Sequence, residues 1–547
     1  MIPRGVSYDQ AMREFRWPKP EKFNIGRAVC ERHPAQALAM IVENSDGSAR
    51  HWTFGQLLAA SSRLANALVA KGVNRGDRIA VFLSQGAELT ISHIAGYRMG
   101  AVVLPLFTLF GEEAVEFRLA NAEATALITD MANVSKVLAV RDRLPRLKTV
   151  IVIGAGAHGA EFLDWERLLG AASDDFATVD TAAEDPALLI YTSGTTGQPK
   201  GALHAHRMML GSIPPVEQWL GHWPRGNEVM WTPAEWAWIA GLYDALFPAW
   251  YYGTPVLAHR FAKFDPERAF AMLAKHKVGV SFIPPTALKM MRQVREPRRR
   301  WGYDVRAVST GGEAMGEELL AWGRDTFGCT ISEGYGQTEM NMMLLNSPDW
   351  FPVKPGSCGR ACPGRKVAIV DDKGTVLPPG QEGQIAGWRH DPIVMLEYWR
   401  NPEATARKFA GDWLLTGDLG RIDEEGYVFF KSRDDDVITS GGYRIGPGEI
   451  EECLMKHPAV AMVGVVGVPD RVRTEIVKAF VQLRPEIAAT DALKADLAAH
   501  VKTRLAAHEY PREVEFVAEL PLTTTGKILR RELRRLDAEA KRAPKRG

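Results

Sequence analysis

The stretch 191-YTSGTTGQPKG-201 combines three glycines, a run of hydroxyl side chains and one lysine. A Gly, Ser, Thr and Pro cluster is ordinarily a surface turn, but this one is also suited to an anion. Gly194 and Gly197 let backbone N–H groups converge at positive φ, the geometry of an anion nest. Thr192, Ser193, Thr195 and Thr196 supply hydroxyl donors, and Lys200 a point charge. The next segment, 202-ALHAHRMML-210, reads as a helix whose N-terminus would favour the same anion. The loop is not a Walker A motif, because Lys200 stands between Pro199 and Gly201 rather than before Ser or Thr. The chemistry expected here is phosphate binding.

Two acids stand out. In 331-ISEGYGQTEM-340, Glu339 follows Gly334 and Gly336 at the end of an expected strand. Alone it would be a solvated carboxylate. Beside a phosphate loop it suits Mg2+, which takes one or two carboxylates together with phosphate oxygens. Asp418 follows the apolar run 413-WLL-415, where an acid either closes a turn or accepts hydrogen bonds from a ribose. The run 154-GAGAHG-159 fits G-x-G-x-x-G, but no convincing strand precedes the aspartates of 171-AASDDFATVD-180. A loop is therefore expected there rather than a dinucleotide site.

These residues need a scaffold. In 53-TFGQLLAASSRLANALVAKG-72, apolar or small residues recur at helical spacing and end at a glycine. Strand-like runs follow at 78-RIAVFL-83, 101-AVVLPL-106, 148-KTVIVIG-154, 278-VGVSFIP-284 and 366-KVAIV-370. This βαβ rhythm implies parallel sheets covered by helices. Near 431-KSRDDDVITSGGYR-444, successive aspartates and paired glycines make a poor core element and a good hinge. Beyond it, a small α+β domain is expected. It would contain a helix at 447–458, strands at 461–466 and 476–483, and a basic helix after Gly526.

Composition narrows the function. At 547 residues the chain is too long for one compact core. Its net charge of +1 recruits neither nucleic acid nor an anionic membrane. The richest apolar region, 236-WAWIAGLYDALFPAWYYG-253, is broken by Asp244, Pro248 and glycines, so no membrane span is expected. The first residues lack the apolar core of a signal peptide, and five cysteines make no disulfide framework. A cytoplasmic location is expected. Cys358 and Cys362 have no second Cys or His pair at metal spacing.

Taken in order, the motifs resemble the adenylate-forming superfamily of acyl-CoA synthetases, peptide-synthetase adenylation domains and luciferases. YTSGTTGQPKG resembles the phosphate loop, TGGEAM (310–315) the adenine segment, and EGYGQTE (333–339) the aromatic-Gly-x-Thr-Glu motif. TGD (416–418), SRDDDVITSGGYRIGPGEIEE (432–452) and TTTGKILRREL (523–533) resemble the ribose, hinge and catalytic-lysine segments. The resemblance implies an α/β fold. A large N-terminal domain, 1–433, would layer parallel sheets with helices and carry a small β-barrel-like subdomain. A small mobile α+β domain, 434–547, would carry the catalytic lysine.

It also implies ATP, Mg2+ and coenzyme A. Thr192 to Gly197 and Lys200 would hold the leaving pyrophosphate. Gly311, Gly312, Glu313 and Tyr335 would hold the adenine end, Thr338 the α-phosphate, Glu339 the metal, and Asp418 and Arg433 the ribose. Lys527 would reach the α-phosphate and the attacking carboxylate. Rotation about Asp435 would then withdraw Lys527 and bring in Gly442 and Arg444 for the CoA arm. Two positions depart from the pattern: Ser432 and Thr474 stand where the family usually has glycine.

In acetate enzymes of this family a tryptophan directly before Gln-Thr-Glu blocks the acyl pocket; here that position is Gly336. Trp238 matches the tryptophan that walls the pocket. The pattern is most similar to medium-chain acyl-CoA synthetases, with branched, alicyclic and aromatic acids also admitted. The alternative is an amino-acid or aryl-acid adenylating enzyme that loads a carrier protein. Ala234 stands where amino-acid enzymes place an aspartate, and Glu235 is one place out of register. A lysine acetyltransferase acting on Lys527 and a homo-oligomer are further partner expectations.

Overall fold

The computed structural model describes residues 1–154, 156, 162–192, 199–312, 315–433, 436–440, 443–470, 473–505, 509–523 and 526–542. Runs such as Ile79 to Phe82 are apolar on both faces and buried, so they become interior strands of parallel sheets. One sheet runs Leu163–Asp164, Thr149–Ile153, Ala126–Asp130, Arg78–Phe82, Val102–Pro105, Pro186–Thr192, Lys200–Ala205, Glu397–Tyr398. Its strands are parallel as far as Pro186–Thr192, and the last two pairings are antiparallel.

A second sheet runs Ala49–Thr53, Leu38–Glu43, Val256–His259, Val229–Trp231, Val278–Phe282, Ala307–Gly311, Ser332–Gln337, Asn341–Leu345, Arg360–Ala361. It is parallel from Leu38–Glu43 to Ser332–Gln337. The expected helix after Thr53 spans Phe54–Ala70. A reciprocal Thr53–Gln56 capping box starts it, and Phe54, Leu57, Leu64 and Leu68 are buried along it. The apolar stretch near 239–251 is a buried helical run, with Phe247 and Trp250 in the core. No described helix is long and apolar enough to cross a membrane.

One local expectation is corrected. The segment 202–210 is not a helix: Lys200–Ala205 is a strand, and the helix begins later, at Met208–Trp219. Leu203 pairs with Leu189 and Ala202 with Ile190 across the hairpin, so sheet pairing overrides the helical propensity of Ala and Leu. Lys200 therefore opens a strand, and no helix N-terminus follows it directly.

By internal contacts the chain forms two compact units. The first takes residues 1–193, 199–367 and 387–412; the second takes 194–198, 368–386 and 413–547. In the second, Trp413–Ile422 and Val428–Arg433 pair antiparallel in one sheet. A further sheet is built from Ile438–Ser440, Tyr443–Ile445, Val460–Asp470, Thr474–Leu483 and Glu513–Phe516. Helices Pro447–Met455, Asp491–Arg504 and Arg530–Arg542 accompany it. The expected limit at 433/434 falls inside this second unit. The α/β class with parallel sheets is the one expected.

Candidate active site

In the first unit the strand Lys200–Ala205 and its neighbour Glu397–Tyr398 reach the Gln-Thr-Glu end of the 333–339 motif. Thr192 and Lys200 face each other at the mouth of the hairpin. The Thr192 hydroxyl lies 3.4 Å from the Lys200 carbonyl. The short strand Glu397–Tyr398 runs antiparallel to Lys200–Ala205, with Tyr398 opposite Ala202. That register carries the Tyr398 phenol to the buried Glu339 carboxylate, to which it donates a hydrogen bond. The Lys200 ammonium lies 5.4 Å from the centroid of the same ring. Met395 N–H donates to the Glu339 carbonyl at 2.8 Å. One tyrosine thus touches both the loop lysine and the candidate metal ligand.

Glu339 is held in its charged form. Burial pushes its carboxyl up, but the Lys408 charge and the Tyr398 hydrogen bond outweigh this and hold it below the usual carboxylate range. Lys408 also donates to the Gln337 side-chain oxygen at 2.8 Å. His204 places Nε2 2.8 Å from the Thr338 carbonyl. Burial lowers this imidazole to about 4, so it is neutral, and Nε2 carries the hydrogen that donates. An ionised, buried carboxylate suits a hard divalent cation. Among the described residues no group of three or more His, Cys, Asp or Glu could form a metal cage.

Gly311 and Gly334 are paired across adjacent parallel strands, which brings the TGG and EGYG segments together. A side chain on Gly334 would meet the Trp219 ring at 2.7 Å, so the strands pack directly on that indole. Burial pushes the Glu333 carboxyl up to about 7, against the Met315 N–H that donates to it.

Gly336 departs from its expected role. A Cβ there would lie 1.9 Å from the Asn341 carbonyl, across the tight Ser332–Gln337 and Asn341–Leu345 hairpin. The space expected from the missing indole is filled by backbone along that direction. Trp238 is partly buried, with its ring 5.8 Å from that of Phe282. Burial raises Glu235, and Ala234 is buried.

In the second unit the two expected ribose ligands come together. Asp418 and Arg433 are directly opposite on antiparallel strands, with Nη1 3.7 Å from Oδ1. Gly417, at φ +79°, supplies the left-handed turn before Asp418. The Thr416 hydroxyl accepts from Asp418 N–H at 3.1 Å and donates to the Ile385 carbonyl at 2.6 Å, which fixes the backbone of the acid.

Lys527 is exposed on a tight loop. Its N–H donates to the Thr523 hydroxyl at 3.0 Å, and its carbonyl accepts from Thr523 N–H at 2.7 Å. Arg444 lies on the strand Tyr443–Ile445. Ser193, Gly194, Thr195, Thr196, Gly197, Glu313, Asp435 and Gly442 lie outside the described residues.

Tyr398, Lys408 and His204 were not anticipated. The Tyr and Lys carry no motif of their own, and only sheet pairing brings them to Glu339 and Gln337. His204 follows the phosphate loop by four residues, inside the segment read as helical, and strand alternation was the signal available for it.

Residues 27–399 match the AMP-binding enzyme model, and residues 449–527 match the AMP-binding enzyme C-terminal domain. The chain is 34% identical to acetyl-coenzyme A synthetase of Bacillus subtilis (strain 168), over 96% of this chain and 94% of that protein. It is also 34% identical to the human mitochondrial acyl-coenzyme A synthetase ACSM4, over 97% and 93%. The solved anthranilate CoA ligase AuaEII, in complex with anthranoyl-AMP, superposes with a TM-score of 0.86 at 28% identity, covering 95% of this chain and 98% of that one.

Proposed function

The chain belongs to the AMP-binding enzyme family, and we propose that it works on a medium-chain, branched, alicyclic or aromatic carboxylic acid. It is an acid–thiol ligase that adenylates a carboxylic acid with ATP and transfers the acyl group to coenzyme A. The observation that supports the acid assignment is the Trp238–Phe282 aromatic pair, together with a buried Ala234 at the sequence position where amino-acid enzymes place an aspartate. Ala234 brings no carboxylate for an amino group, and Glu235 is one place out of register. An apolar wall separates acids by only ~1–3 kcal/mol per methylene, so several acids share the site. The reading with amino acids or aryl acids loaded onto a carrier protein is the alternative that the experiment below separates.

A carboxylate attacking a phosphate brings two anions together, so cations must sit where the charge builds up. Lys200 would meet the leaving pyrophosphate, and Thr338 the α-phosphate. Glu339 would hold Mg2+, which when bound neutralises charge on the phosphate oxygens. Asp418 and Arg433 would hold the ribose, and Gly311, Gly312 and Tyr335 the adenine end. Lys527 would meet the α-phosphate during adenylation. A rotation near Asp435 would then replace it with the 440–444 segment, where Gly442 and Arg444 serve CoA. This reading keeps the limit between adenylating and mobile regions at 433/434. A cytoplasmic location and self-association belong to the same proposal, and sedimentation of the purified chain reads the latter.

Pyrophosphate release is measured from acetate through octanoate, cyclohexanecarboxylate, benzoate and several amino acids, with and without CoA. CoA-dependent turnover that peaks at a medium, branched or ring acid supports the reading. Release with amino acids alone, indifferent to CoA, refutes it. Lys527→Ala should lower adenylation ~10²–10³-fold while sparing thioester formation from supplied acyl-AMP. Acetylation of Lys527 would cancel the same charge; full activity after stoichiometric acetylation there would exclude such control.

A further inference from the structure

Three residues after Lys527, the helix Arg530–Arg542 opens on an arginine enclosed by two carboxylates. Arg530 Nη1 is 3.0 Å from Asp436 Oδ2, and its Nη2 is 2.6 Å from Glu451 Oε2. Arg534 Nη2 adds a second contact to Asp436, at 3.1 Å from Oδ1. The Asp436 side chain is 9% exposed and that of Arg530 is 20% exposed, so these pairs are largely shielded from solvent. Glu451, on the helix Pro447–Met455, also accepts from Val465 N–H at 2.8 Å. The guanidinium therefore joins the lysine loop to the start of the C-terminal region, to one helix and, through Glu451, to the strand Val460–Asp470 at the end of the sheet.

We propose that Arg530 is a positioning residue for adenylation, holding the Lys527 loop to Asp436 and Glu451 so that they move as one body. The inference rests on the reading of Lys527 as the adenylation lysine. A lysine ammonium stands at the end of four flexible carbons, so its reach depends on where its backbone is fixed. The loop fixes it locally through Thr523, through Leu529 N–H to the Pro521 carbonyl at 2.9 Å, and through the Leu522–Ile528 bridge. Ile528 and Leu520 seat the loop on Val466, Val468 and Phe480 of the C-terminal sheet by apolar contact, and the Arg530 fork adds a directional, charged tie to Asp436 and Glu451. Asp436 is locked to the same fork, so any pivot must lie before it. A rotation there carries Asp436 and Lys527 together.

The consequence is selective. Loosening the fork misplaces Lys527 when it is needed and leaves alone the step from which it is withdrawn. The test compares Arg530→Gln, Arg530→Lys, Glu451→Gln and Lys527→Ala in the full-length enzyme. Pyrophosphate exchange, thioester formation from supplied acyl-AMP and thermal melting are read for each. Arg530→Gln should lower exchange ~10–100-fold, the cost of a misplacement of about 1 Å, with thioester formation within about threefold of wild type. Added to Lys527→Ala, it should cause no further loss of exchange. Equal losses in both half-reactions, or an additive loss in the double variant, would overturn the proposal. So would unchanged exchange in Arg530→Gln while Lys527→Ala loses it. Normal exchange in Lys527→Ala would instead remove the lysine reading itself. If Arg530→Gln does not fold, Arg530→Lys, which keeps charge but not the fork, and Glu451→Gln carry the same comparison.

Discussion

Replacing Tyr398 with Phe removes one hydroxyl and leaves the ring. The hydroxyl donates to a buried, ionised Glu339, and a hydrogen bond to a charged group is worth about 1.5–3 kcal/mol. If that bond holds the carboxylate in its working position, its loss should lower pyrophosphate exchange by ~10–150-fold, since about 1.4 kcal/mol is a factor of ten. The ring under Lys200, 5.4 Å from its ammonium, survives in the Phe variant. Tyr398→Leu removes it too and should forfeit about another 0.5–2 kcal/mol of cation–π attraction. Exchange is measured across a Mg2+ series, with ATP binding read separately by equilibrium dialysis and folding by thermal melting. The Phe variant should need more Mg2+ for half-maximal exchange, and the Leu variant should also bind ATP more weakly. A Phe variant within twofold of wild type, with an unchanged Mg2+ requirement, would show that Tyr398 merely packs and that the Glu339 contact has no functional weight.

Gly336→Ala forces a Cβ to within 1.9 Å of the Asn341 carbonyl, so the hairpin must move. A loss of about 1–3 kcal/mol should appear in chemical denaturation, and an unchanged midpoint would contradict the geometry. Thr474 sits at φ +72°, a costly conformation for a β-branched residue; Thr474→Gly should stabilise the fold by about 1 kcal/mol, read from the denaturation midpoint. Asp244 is buried, and its carboxyl is raised to about 7 despite a hydrogen bond from Asn341. A folded pKa above the unfolded one means that stability falls as pH rises through the window between them, from about 4 to 7. Asp244→Asn removes that slope, so its melting temperature should gain on wild type from pH 5 to pH 8; parallel curves would refute the assignment.

Local patterns revealed most of the scaffold. The helix Phe54–Ala70 and the strand Arg78–Phe82 lie where periodicity and apolar runs put them, because burial dictates those residues whatever their partners. The composition of the segment after Lys200 suits either helix or strand, and only the partner strand Pro186–Thr192 decides between them. The two departures from the family pattern fared differently. Thr474 occupies a left-handed backbone position, which gives the usual glycine a physical reason. Ser432 lies in an extended strand, Val428–Arg433, where no glycine is required.

The residues missed around Glu339 and Lys527 share one property: their sequence types are ordinary and their placement is not. Tyr398 reaches Glu339 across 59 positions and Arg530 reaches Asp436 across 94. A motif marks the residues expected to meet ATP, because their chemistry restricts their type. A residue that fixes another in place is restricted only by geometry. Tyr398 in a two-residue strand and Arg530 in a basic helix therefore look like packing and surface charge until the chain is folded. The same logic explains why the site divides as it does. The groups expected to face phosphate belong to short local segments. The groups that aim them, Tyr398 for Glu339 and Arg530 for Lys527, come from elements distant in the chain, so disturbing either should impair adenylation while every motif stays intact.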